Sequence, residues 1–273
     1  MTTPRRTRLV VAVVAVASMG IMSAPGASAQ ETTSSTRPPR ESAPSTRPPR
    51  EQPRERPRER PPGDGERRAM AMDEVKSRCL HQIQLRHEAL ANVKRRMARA
   101  RFVTDEHEAA LVQNIDATAA SLSRLADVIQ GEDNFEELRA ECRSIVDDHR
   151  VFVLVIPRVR LVLASDAALG AAGRLTTAAD HLQTEIDKAK SGGKDTAEAE
   201  RDLARMRTHI ATARDQASGV YGAVINLKPA DYNANHDVLR PAREAVRAAK
   251  NELRAAVAAG REVRQGLGSS ERS

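Results

Sequence analysis

Seven histidines and two cysteines are the side chains with most chemistry to offer, and their spacing decides what that chemistry is. A zinc-binding helix needs two His four residues apart with Glu after the first. His87-Glu88 and His107-Glu108 begin that pattern, but Ala91 and Leu111 stand where the second His belongs. No helix carries the Glu-x-x-His of carboxylate-bridged metal bundles, and no G-x-S-x-G nucleophile elbow is present. His149 falls on an apolar stripe and reads as a packed core residue. The stretch Ser191-Gly192-Gly193-Lys194-Asp195-Thr196 resembles a phosphate loop only superficially. It lacks the first Gly, places Asp after the Lys, and follows a helix where a strand is required. A helix-to-helix turn capped by Asp195 explains it. Asp147-Asp148 and Glu136-Glu137 are adjacent, so they diverge around a helix and read as solvated faces. The sequence therefore assigns no catalytic residue, no metal ligand and no cofactor, and the chain is expected not to be an enzyme.

Cys79 and Cys142 are the two cysteines. In an exported protein two cysteines most simply form one disulfide. Each falls on an apolar stripe, about two turns into the first and third predicted helices. In an up-down-up arrangement those helices start at the same end, so the two sulfurs meet at one height. A redox pair would need C-x-x-C or a thiol activated near a helix N-terminus, and neither is evident. Aromatic residues are few: no Trp, with Tyr221, Tyr232, Phe102, Phe135 and Phe152. Sugar and single-stranded nucleic-acid sites lean on stacked rings, so both are disfavoured. The three Phe are expected in the core, leaving Tyr232 as the exposed aromatic to watch.

Export is written in the first residues. Arg5, Arg6 and Arg8 precede an apolar run, Leu9 to Met22, and Ala27-Ser28-Ala29 supplies small residues in the A-x-A pattern. This is a secretory signal peptide with cleavage expected between Ala29 and Gln30. A twin-arginine signal is disfavoured by Arg8, where that motif prefers an aromatic residue. An uncleaved signal acting as an anchor is the other alternative, against which the short apolar run argues. The expected location is extracytoplasmic, either secreted or associated with the cell envelope.

Residues 30–68 read as a disordered Arg/Pro-rich linker with a ten-residue repeat, Ser35-Thr36-Arg37-Pro38-Pro39-Arg40-Glu41 and Ser45-Thr46-Arg47-Pro48-Pro49-Arg50-Glu51. It has little to bury against the entropy of folding. Repeated proline favours polyproline II, a semi-rigid spacer reaching on the order of 100 Å when extended. As a partner-binding arm it could make weak contact with cell-wall polymers or anionic lipid, an idea weakened by the interleaved Glu. The formal charge of the chain is +7, but this overstates the folded part. Positions 1–29 carry three Arg and no acid, positions 30–68 ten Arg against seven acids, and the remainder 31 basic against 30 acidic residues. A nucleic-acid reader concentrates positive charge on one face. Here the tight cluster is Lys94, Arg95, Arg96, Arg99 and Arg101, which suits a helix C-terminus. Nucleic acid is not an expected partner.

What must position these residues is helix almost throughout. Apolar residues at 3-4 spacing predict six stripes. They run from Met72 to Ala100, from Leu111 to Ile129 after a Thr104 cap, and from Phe135 to Leu163 after Asp133-Asn134. The others run from Leu175 to Ala189, from Ala199 to Leu227 and from Leu239 to Leu267. Val151 to Leu163 is ambiguous, since a β-branched run, Pro157 and an alternating stretch could make a hairpin. The stripe keeps its phase there, so a buried helix kinked by Pro157 is preferred. The fold class is all-α, an elongated antiparallel helical bundle or coiled coil. Two three-helix units in series are expected, residues 69–164 with the disulfide and residues 165–268, followed by a disordered tail, 269–273.

The signal peptide, the two cysteines, the stretch from Ile145 to Arg158 (IVDDHRVFVLVIPR) and the late Leu227-Lys228-Pro229-Ala230-Asp231-Tyr232-Asn233 together resemble a group of exported, all-helical actinobacterial proteins. The likeness covers roughly residues 72–267 and implies export, helix and a disulfide, and supplies no active site. The expected function is that of a structural or interaction protein. It would meet a protein partner through its helical surfaces, with an oligomer possible. An exported chaperone-like or envelope-stress binding protein is the alternative, which a large exposed apolar patch would favour.

Overall fold

A computed structural model describes residues 63–269. The signal region with its Ala29–Gln30 junction, residues 30–62 of the arm and the tail from 270 lie outside the described residues. The described chain is all-helical. Its elements are α1 (Asp64–Met97), α2 (Asp105–Gly131), α3 (Phe135–Asp147), a π-helical turn (Val151–Val155), α4 (Ile156–Ser191), α5 (Ala197–Ser218), α6 (Val220–Val224), α7 (Pro229–Ala234) and α8 (Arg240–Ser269). No helix among the described residues is long and apolar enough to cross a membrane.

The expected caps of α2 and α3 do their work. Thr104 accepts a hydrogen bond from the His107 backbone N–H at 3.2 Å, and Asn134 accepts from the Glu136 N–H at 2.9 Å, satisfying donors that a helix start leaves free. For α5 the N-cap is Thr196 rather than the expected Asp195; Asp195, one residue earlier, accepts from the Ala197 N–H at 3.0 Å, and the turn before it needs Gly193 at φ 80°, a conformation glycine adopts without steric cost. Helix α1 begins earlier than the sequence reading placed it, inside the stretch given to the linker. Asp64 and Glu66 lie in its first turn, and Glu66 accepts from the Gly63 N–H at 3.0 Å, so an acid-rich start favoured by the helix dipole extends the helix. Cys79 therefore lies about four turns into α1. Lys94, Arg95 and Arg96 occupy its last turn, and Lys94 also reaches Asp116 of α2 at 2.7 Å.

The third predicted helix is not one helix. It stops at Asp147, and Arg150 turns left-handed at φ 41°. The chain restarts as the π turn, in which the Val155 N–H reaches the Arg150 carbonyl at 3.3 Å. Pro157 follows in the first turn of α4, where its missing N–H is tolerated. Its ring would press on the carbonyl four residues back in a regular helix, and the wider π turn removes that pressure. The extra residue shifts the phase. Val151, Leu154 and Val155 are buried, whereas Phe152 is 49% exposed. Phe102 is also exposed and Phe135 is only half-buried, so none of the three phenylalanines is in the core. Helix α4 then continues unbroken to Ser191, through the position where the sequence reading changes helix.

The larger apolar cluster joins α1, α2, α3, the π turn and the start of α4, with Val220, Val224, Leu239, Ala242 and Val246 from the later helices. A second cluster packs the far half of α4 against α5 and α8, around Leu182, Ile186, Leu203, Met206, Ile210 and Val263. Between them lies a layer of alanines, Ala168, Ala217 and Ala249, small enough to bring three backbones close. The disulfide Cys79–Cys142 ties α1 to α3, with Cα atoms 5.6 Å apart.

Two expectations follow from this packing. A Cβ on Gly260 would sit 3.1 Å from Met206 Sδ and 3.4 Å from its Cε. Gly260→Val should therefore destabilise the protein by about 1–3 kcal/mol through overpacking, measured by urea unfolding. At the α4–α5 turn, Lys190 donates to Glu200 at 2.9 Å and Thr196 donates to it at 3.0 Å. These bonds, Lys190's first, hold the Glu200 carboxyl below its ordinary range. Because the folded value lies below the unfolded one, this contribution is present above the unfolded carboxylate range and fades as pH falls through the folded value. A carboxyl-carbon NMR titration should find the Glu200 midpoint below the ordinary glutamate value, and Lys190→Ala should return it upward.

Candidate functional site: a polar cleft where helix three gives way to helix four

The two stretches singled out by the sequence, Ile145 to Arg158 and Leu227 to Asn233, meet in space. Asn233 of α7 accepts from Arg150 Nε at 2.5 Å and donates through Nδ2 to the Asp147 carbonyl at 3.0 Å. Arg150 also pairs with Asp147 at 3.0 Å, and its guanidinium carbon lies 5.6 Å from the centre of the Tyr232 ring. Tyr232 is thus half-buried, packed over the joint rather than free. A short helix distant in sequence clamps the one non-glycine left-handed residue among those described.

Beneath this clamp lies a cleft of about 260 Å³ between α2, the α3–α4 joint and the start of α7. Helix α2 contributes Asn114, Thr118 and Ser121 to its wall, and Lys228 and Pro229 close it from the other side. Its innermost cation is Arg158, which is 4% exposed. Arg158 Nη1 donates to Asn114 Oδ1 at 3.3 Å, and Nη2 donates to the Leu227 carbonyl. Its Nε, fully enclosed, has no acceptor. Among the described residues no carboxylate reaches Arg158 within ion-pairing distance. Burial pushes the guanidinium below its ordinary value, opposed by the charge of Asp231. His149 forms another wall. Its Nδ1 lies 3.2 Å from the Ser144 carbonyl, so this nitrogen carries the proton, and Nε2 then accepts from the Ser121 hydroxyl at 3.1 Å. Asp148 is exposed at the rim.

Three other histidines bridge helices. His107 of α2 places Nδ1 3.0 Å from both oxygens of Asp166 on α4. Asp166 is 3% exposed, and the Tyr221 ring stacks on His107 with centroids 3.7 Å apart. His209 of α5 reaches Glu252 of α8 at 2.7 Å, and His87 of α1 lies 3.5 Å from the Ser123 hydroxyl of α2. The sequence reading placed His149 in the core, where it is. It missed Arg158 and Asp166, because a lone charge inside an apolar stripe carries no signal of what it meets 44 or 59 residues away. A second, open cleft of about 460 Å³ between α5 and α8 is lined by Glu198, Asp202, Arg205 and Glu262. Arg205 there bridges Asp202 at 2.5 Å and Glu262 at 2.6 Å, and with Glu198 beside them the cleft is acidic on balance. Among the described residues no group of three His, Cys, Asp or Glu side chains could hold a metal ion.

No protein-family model, no curated protein and no solved structure matches this chain. Its function has to be argued from the residues themselves.

Proposed function

We propose that this protein is an extracytoplasmic helical interaction module that acts by binding rather than by turnover, working at the cell envelope or released from it. The observation that carries the reading is the use made of its histidines. His107, His149 and His209, the side chains best suited to proton transfer, are committed to hydrogen bonds between separate parts of the helical scaffold. His149 uses both ring nitrogens, on Ser144 and Ser121, and His107 and His209 each tie Nδ1 to a carboxylate of another helix, so all three hold the scaffold together. The disulfide between α1 and α3 suits an oxidising compartment, as does the signal peptide, cleaved in this reading between Ala29 and Gln30. In this reading the two apolar clusters are joined in series by α4 and α8, which contribute to both. The outer faces of α1, α2 and α3, with exposed Leu85, Val128 and Val146, offer apolar anchors to a protein partner, while the Arg/Pro arm reaches wall polymers or anionic headgroups.

Fractionation of the host into medium, wall and membrane tests this reading. It should compare the full chain with a deletion of residues 31–62, which leaves the Gly63-Asp64 start of α1 intact. Envelope retention of the full chain with release of the deletion makes the arm the tether. Retention of both makes the helical surface the binding element. Release of both into the medium, with no partner captured by cross-linking there, overturns the interaction role.

A further inference from the structure

We propose that the cleft beneath the Arg150–Asn233 clamp is a binding site for a small monocarboxylate, held by Arg158 as its counterion. Buried charges are ordinarily paired, since taking a lone ion out of water is costly. Arg158 is buried, and no carboxylate among the described residues pairs with it. Its guanidinium carries five N–H donors; Asn114 and the Leu227 carbonyl accept from two of its nitrogens. The space beside it is about 260 Å³. The cleft is open to solvent on one side, so it admits a small ligand from the surface. The planar fork of an arginine matches a carboxylate. Lys228 adds a second cation at the exposed edge, while the Thr118 and Ser121 hydroxyls donate to the Asn114 carbonyl and His149 and so are left to accept from a hydroxyl or ammonium group of the ligand.

Asp148 on the rim sets the charge limit. It repels a dianion such as phosphate and can accept a hydrogen bond from a hydroxyl or ammonium group of the ligand. Of the small anions, a hydroxy or amino monocarboxylate therefore fits best. The site stands whichever macromolecule the helical faces meet.

The test is an amide NMR titration of the exported chain with its disulfide intact. The probes are acetate, glycolate and inorganic phosphate, with chloride holding ionic strength constant. Saturable shifts are expected at Ser121, His149 and Lys228, with glycolate tighter than acetate and phosphate weakest. Lys228→Gln, an exposed change that leaves the core untouched, should weaken glycolate about threefold, the size of a rim charge. Arg158→Lys should weaken it tenfold or more, and Asp148→Asn should improve phosphate relative to glycolate. Should Arg158→Lys fail to fold, the Lys228 and Asp148 variants decide the matter. Shifts that do not saturate, or that are equal in the wild type and the Lys228→Gln variant, would overturn the site. Phosphate binding as tightly as glycolate would overturn the carboxylate assignment.

Discussion

Replacing both cysteines, Cys79→Ser with Cys142→Ser, should lower the unfolding free energy by about 4 kcal/mol. The bridge spans 63 positions of sequence, and closing a loop of that length removes entropy from the unfolded chain worth about that much. The effect is larger than for most side-chain changes because α1 depends on it. Ile83, Leu90, Val93 and Met97 are the buried apolar residues of α1, while N-terminal to them the helix is held by the partly buried Met72, Val75 and Leu80 and by the Cys79–Cys142 bond. Urea unfolding with and without reductant gives the number. Hydrogen exchange should also show α1 losing protection before α5 and α8. A loss below about 1 kcal/mol would mean that the reduced chain is already restrained in its unfolded state.

The second large effect is expected at His107. Asp166 is buried, and both of its oxygens look to His107 Nδ1. Removing His107 leaves a carboxylate in the interior with no donor. Breaking a buried pair from one side costs about 3–5 kcal/mol, and His107→Ala also takes away the ring on which Tyr221 stacks. Asp166→Asn should cost less, since the amide oxygen still accepts from the imidazole N–H. The decisive comparison is the double change. His107→Ala in an Asp166→Asn background should cost clearly less than in the wild type, because no stranded charge remains. Equal costs in both backgrounds would show that the pair is not coupled.

Helices and caps were legible because they rest on local signals. Thr104 and Asn134 stand before acid-rich first turns, and the apolar residues of α2, α5 and α8 recur at helical spacing. The break at Arg150 was not legible. A left-handed arginine has no composition signal, and the π turn lets the hydrophobic pattern run on while the backbone changes phase. The continuity of α4 was obscured for a different reason. Between Ala164 and Gly173 the residues are mostly Ala and Gly, which read as a gap between stripes. In the fold, Ala168 packs with Ala217 and Ala249, so that gap is where α4 meets α5 and α8 through small side chains. The polar cleft was half visible. Its two sequence stretches stood out, but nothing in their spacing says that Asn233 meets Arg150 or that Arg158 meets Leu227. Those contacts depend on α4, α5 and α6 having the lengths they have. The disulfide was legible in its pairing, since there are two cysteines, and the position of Cys79 along α1 was not.

We propose an exported, disulfide-closed helical module. Recovering the chain from host cells and measuring its intact mass and thiol content in each fraction tests this. The expected result is a protein that lies outside the cytoplasm, begins at Gln30, and has no thiol open to alkylation until reductant is added. Finding it inside the cell with residues 1–29 attached and both Cys79 and Cys142 alkylated would contradict it.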